Sequence, residues 1–173
     1  MNMYMSNRPG SRAATAMAMT LALLFSLAGP MAAGVGAADA VGGTLTYTSS
    51  TFLGVRVAGG NTIIELTATV EYTGTFSGTS VLHGTLTFHP NGRANFHDIE
   101  TFTGTVNGKA GTVTFALNGS SDPELNVTAV ATIIDGTGEL AGLKGNLAET
   151  AVVIDKAVGP VGTYTGRITF AGD

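Results

Sequence analysis

The chain has 173 residues, 12% of them charged, with no cysteine, no tryptophan and a formal net charge of −4. Without cysteine there is no disulfide framework, no thiol nucleophile and no lipid-modified cysteine. Its basic residues are scattered singly, so no clustered cationic face exists to displace counterions from nucleic acid or to hold an anionic membrane surface.

Residues 1–40 read as an export leader. Arg8 and Arg12 form a basic lead-in, Ala13 to Ala28 is an apolar stretch centred on LALLFSLAG, and AADAV supplies an A-x-A site with cleavage after Ala40. The alternative is an N-terminal membrane anchor. Its unbroken apolar core falls short of the roughly 20 residues a spanning helix needs, and no stop-transfer pattern follows. No Arg-Arg pair is present, so the expected route is the general secretory one and the expected location is secreted or periplasmic.

The remainder, Val41 to Asp173, is the size of one domain and can bury about two thirds of its unfolded surface. Six Lys and Arg stand against eleven Asp and Glu there, a formal net charge of −5. Apolar residues recur with period two. In TIIELTATVEY, Ile64, Leu66, Ala68, Val70 and Tyr72 share one side, and Glu65, Thr67, Thr69 and Glu71 the other. VLHGTLTF repeats the pattern with Leu82, Leu86 and Phe88 inward. It recurs in GTVTFAL (Val113, Phe115, Leu117), LNVTAVATI (Leu125, Val127, Ala129, Ala131, Ile133) and YTGRITF (Tyr164, Ile168, Phe170). Threonine fills most outward positions, where β-branching suits a pleated surface.

Turn chemistry separates these runs. AGGN near residue 60, SGT near residue 78, HPNG at His89 to Gly92 and Asn107–Gly108 all read as turns. Their spacing leaves no room for helical crossovers, so about eight antiparallel up-and-down strands are expected. A sandwich is one closure; a barrel, which leaves no edge, is the preferred one. DGTGELAGLKG, Asp135 to Gly145, has glycines that could cradle a phosphate. However, its spacing is G-x-G-x-x-x-G, the following NLAETAVVI is a strand, and Lys144 does not continue into a P-loop. It reads as a turn in which Gly136 and Gly138 take backbone angles closed to other residues, Gly142 and Gly145 complete the corner, and Leu140 and Leu143 tuck under the barrel end.

DGTGELAGLKG, with TGTFSGTS and HPNGRANFHDIETFTGTVNGKAGTVTF, resembles the bacterial domain-of-unknown-function 3224 family over about residues 70 to 154. That family is similar in shape to the allene oxide cyclase barrel, a calycin-type fold shared by dirigent proteins and some polyketide cyclases. The resemblance implies an eight-stranded barrel that shapes a hydrophobic substrate without a cofactor. It carries over no catalytic residue.

Candidate chemistry rests on polar residues among apolar ones. In ANFHDIETF, Phe96, Asp98, Glu100 and Phe102 share one side of the strand. Facing a barrel interior, Asp98 or Glu100 would have a raised pKa suited to proton transfer, with Phe96, Phe102, Tyr72 and Glu149 as binding neighbours. Alternatively, Glu100 satisfies buried donors, or a bulge turns both carboxylates outward. Glu149 lies with Leu147, Ala151 and Val153. His83, His89 and His97 lack metal spacing, so no metal is expected. Ser77, Ser80, Ser120 and Ser121 read as turn residues, and no G-x-S-x-G marks a nucleophile. Two functions stay open: an exported barrel binding an apolar or aromatic small molecule, or a cofactor-free cyclase or isomerase. The expected partner is a hydrophobic small molecule; a homo-oligomer stays open.

Overall fold

Alternation of apolar and hydroxyl-bearing side chains carries nearly all of the described chain into strand. The computed structural model describes residues 37–170. Eight strands follow one another: β1 (Asp39–Ala58), β2 (Asn61–Gly74), β3 (Phe76–Phe88), β4 (Ala94–Val106), β5 (Lys109–Ser121), β6 (Asn126–Gly138), β7 (Lys144–Asp155) and β8 (Gly159–Thr169). Each pairs antiparallel with the next and β8 returns to β1, closing an up-and-down barrel. The expected leader, residues 1–40, lies outside the described residues except at its end. Cleavage after Ala40 would fall two residues into β1 and spare Val41, its first buried side chain.

The turns follow their local chemistry. Asn107 and Gly108 take φ of 50° and 80°, as a two-residue hairpin between twisted strands requires. In HPNG, the Gly92 N–H donates to the His89 carbonyl at 3.0 Å. Three expectations need correction. SGT is not a turn but lies inside β3, because the β2–β3 connection is made tightly at Thr75, whose N–H donates to the Gly42 carbonyl at 3.1 Å. Ser77 and Ser80 are therefore strand residues, and Ser120 and Ser121 end β5. Gly136 has no positive φ; it is an extended residue of β6 where a side chain would strike the Leu140 carbonyl. Positive φ belongs to Gly138 (65°), Gly142 (77°) and Gly145 (144°).

The G-E-L corner caps the barrel. The Glu139 N–H donates to the Ala110 carbonyl at 2.9 Å, and its carboxylate accepts the Ala110 N–H at 2.8 Å. Leu140 and Leu143 are thereby folded into the core. On β1, pairing with β8 runs only from Asp39↔Ile168 to Thr46↔Val161, whereas pairing with β2 continues to Ala58↔Asn61. Beyond Thr46 the strand has a single ladder partner. In that stretch, which also has register shifts at Tyr47/Ser49 and Phe52/Gly54, Phe52, Leu53, Val55 and Val57 are exposed.

Candidate functional site

Because the period along each strand is two, the interior is a stack of levels, and β4 shows them in order. Phe96, Asp98, Glu100 and Phe102 all point inward. Phe102 belongs to an aromatic plug with Tyr72, Phe76, Phe115 and Tyr164, whose ring centroids lie 5.4–5.8 Å apart. Edge-to-face contacts dominate, the arrangement that the ring quadrupole favours. The Tyr164 hydroxyl accepts the Phe76 N–H at 2.9 Å and donates to the Thr73 carbonyl at 3.0 Å, so its polar end is satisfied inside the plug. This half of the lumen is filled.

The other half is open. A cavity of about 360 Å³ is walled chiefly by Leu66, Leu82, Leu86, Phe96 and Val127, with Tyr47 and Asp98 as inner polar groups and Lys156 at the rim. Asp98 is only 8% exposed, and its carboxyl leans over Gly84, its cross-strand partner. A methyl group at Gly84 would coincide with Asp98 Oδ1. That oxygen has no hydrogen-bond partner.

Between plug and cavity lies a layer of acid groups. Glu100 is fully buried, and its Oε1 accepts the Ser80 hydroxyl while Oε2 is unpartnered. The Tyr72 hydroxyl is 3.4 Å from Glu149 Oε1 and also within reach of Glu100. One hydroxyl proton cannot serve two carboxylates, so retention of protons by the acids relieves the layer. Accordingly, burial raises Glu149 to about 8, with Glu100 and Asp98 adding and Tyr72 opposing. Burial raises Glu100 to about 7 against the Ser80 and Tyr72 hydrogen bonds, with Asp98 adding. Asp98 rises to about 6 through burial, opposed by His97. Tyr47 is pushed well above its ordinary value by burial, then by Glu100, Glu149 and Asp98, and keeps its proton.

The candidate residues therefore separate by level. Phe96 and Asp98 line the cavity; Glu100 and Glu149 lie behind it; Tyr72 and Phe102 are in the plug. Gly136, Gly138, Gly142 and Gly145 belong to the corner, remote from this chemistry. Sequence reading missed Ser80, Tyr47, Tyr164 as an internal donor, and Gly84. Ser80 shares parity with Leu82, which was the available signal. Among the described residues no group of three His, Asp or Glu converges to hold a metal ion. His83 is exposed, while His89 bonds Asn61 and Asn95, and His97 bonds Asn118.

Comparison with known proteins gives the family. No curated protein matches the chain. A solved structure described as a protein with unknown function from the DUF3224 family of Shewanella oneidensis MR-1 superposes with a TM-score of 0.62 at 19% identity, covering 78% of this chain and 98% of that one. At that identity the likeness concerns the fold alone. The profile described as "Protein of unknown function (DUF3224)" matches residues 32–156, most of the chain, and the chain belongs to that family.

Proposed function

We propose that the barrel receives an apolar or aromatic small molecule at its open end. The supporting observation is the half-filled lumen: the aromatic plug seals one end, and a cavity of about 360 Å³ with mostly apolar walls is left at the other. That volume lies within the roughly 300–1,000 Å³ of small-molecule sites, and a few polar groups among apolar walls are their usual composition. N-phenyl-1-naphthylamine, whose fluorescence rises in apolar surroundings, is the test. It should bind the parent saturably at one site, and Leu86→Trp, which fills the cavity, should weaken binding at least ten-fold. Equal binding by parent and variant would place the dye elsewhere.

A second reading, cofactor-free isomerisation of the allene oxide cyclase type, is favoured by the ionisable Asp98 at the cavity. Glu100 does not line the cavity and would act only as a positioning residue behind Asp98. We also propose export by the general secretory route, supported by the leader's charge and apolar order. An intact mass beginning at Val41 in the extracytoplasmic fraction tests it, and a membrane-bound product retaining residues 1–40 would overturn it.

A further inference from the structure

We propose that the cavity is specific for hydrophobic amines, with the ligand's ammonium group seated against the Asp98 carboxyl at the cavity floor; this rests on the small-molecule reading above. A buried carboxylate in a folded protein is ordinarily paired or hydrogen-bonded, because an unpartnered one costs too much. Asp98 departs from that rule: it is 8% exposed and lines the cavity, its Oδ1 is enclosed over Gly84 without a hydrogen-bond partner, and Oδ2 is the oxygen left for a ligand to reach. None of the donors in the lining bonds Asp98 Oδ1. Ser50 donates to the Val158 carbonyl, the Tyr47 and Ser121 hydroxyls make no hydrogen bond to that oxygen, and the one cation of the lining, Lys156, is an exposed residue of the β7–β8 turn at the rim.

The groups facing Asp98 set the sign of the preferred charge. Glu100 on its own strand and Glu149 on β7 stand behind it as further acids, and Tyr47 on β1 is neutral. His97 is on the outer face of β4, bonded to Asn118. The floor thus presents one carboxyl backed by further acids and no resident cation, in a low-dielectric pocket where a charge-assisted hydrogen bond is strongest. An ammonium headgroup on an apolar body complements both floor and walls. A carboxylate headgroup meets repulsion there, and a neutral alcohol gains a hydrogen bond without the charge. Rings of Phe96 and Tyr47 in the lining further suit a cation.

The experiment is calorimetric titration of the full folded protein at pH 8 with 1-octylamine, 1-octanol and octanoate, which share one apolar body. Octylamine should bind at least ten-fold more tightly than octanol, with octanoate weakest. Asp98→Asn should lose the preference, binding octylamine no more tightly than octanol. Octanol binding as tightly as octylamine, or an amine preference that survives in Asp98→Asn, overturns the proposal while leaving the cavity a binding site. If none of the three binds, the small-molecule reading fails and this one with it. Should Asp98→Asn not fold, the order among the three ligands in the parent decides.

Discussion

Replacing Glu100 by Gln tests the acid layer directly. Glu100 is fully buried and raised from 4.5 to about 7, chiefly by burial. Between those values the folded protein keeps a proton that the unfolded chain has lost. The stability associated with the neutral form is fully present below pH 4.5 and is lost as the pH rises to 7. At about 1.4 kcal/mol per pH unit, the loss is about 3 kcal/mol. Gln cannot ionise and escapes it. Its carbonyl keeps the Ser80 hydrogen bond, but its amide nitrogen takes the place of the unpartnered Oε2, at a cost of about 1 to 3 kcal/mol. The variant should therefore be less stable than the parent near pH 4.5 and should gain about 3 kcal/mol on it by pH 8.5, so that the curves converge or cross. Removal of the Glu100 charge also eases ionisation of Glu149, which adds in the same direction. Urea unfolding of both proteins across this range, with the slope m unchanged, supplies the difference. A difference that does not vary with pH would refute the reasoning, since Glu100 would then not change its ionisation on folding.

Three further outcomes follow from single contacts. Gly84→Ala places a methyl group on the Asp98 carboxyl and should lower stability by about 1 to 3 kcal/mol; the loss should shrink in Gly84→Ala/Asp98→Ala, and additive losses in thermal unfolding would show the two do not touch. Tyr164→Phe leaves the Phe76 N–H and Thr73 carbonyl without their plug partner and should lower the free energy of unfolding in urea titration by about 1 to 3 kcal/mol. Gly138→Val sets a branched side chain at φ 65° with its Cβ 2.9 Å from the Ala110 carbonyl oxygen, at a cost of about 1 kcal/mol or more. An unchanged melting temperature for that variant would mean the corner is not held as described.

Period two makes most of the barrel legible in the sequence. The inward sets of β2 to β8 follow from it, and so does the shared face of Asp98, Glu100 and their two phenylalanines. Where the ladder slips, the signal fails. β1 contains two such slips, so YTSSTFLGVRV shows no steady alternation, and nothing in it directs Tyr47 to the cavity. Ser80 reads as a turn residue because its neighbour Gly78 does; the chain instead keeps Gly78, at φ 156°, within β3. The split of the lumen into plug and cavity was beyond sequence reading. It depends on which residues of different strands share a level, and strand stagger sets that across the whole ring. Glu149 and Glu100 illustrate this: nothing local in NLAETAVVI or HDIETF announces that β7 and β4 bring them into one layer.

The short seam between β1 and β8 bears on how the ring is assembled. Seven of its eight strand pairs join neighbours in sequence and can zip from their own turns, at little cost in chain entropy. The eighth joins the two ends of the barrel chain, from Asp39↔Ile168 to Thr46↔Val161, and cannot begin until the rest has brought them together. Folding time should accordingly be set by this closure. Because Asp39 and Ile168 already face each other, a permuted chain that links these ends and opens at Asn107–Gly108 would make the seam a hairpin and pass the late step to β4 and β5. Until the seam closes, the edges of β1 and β8 are open ladders, and pairing with other chains competes most at that stage.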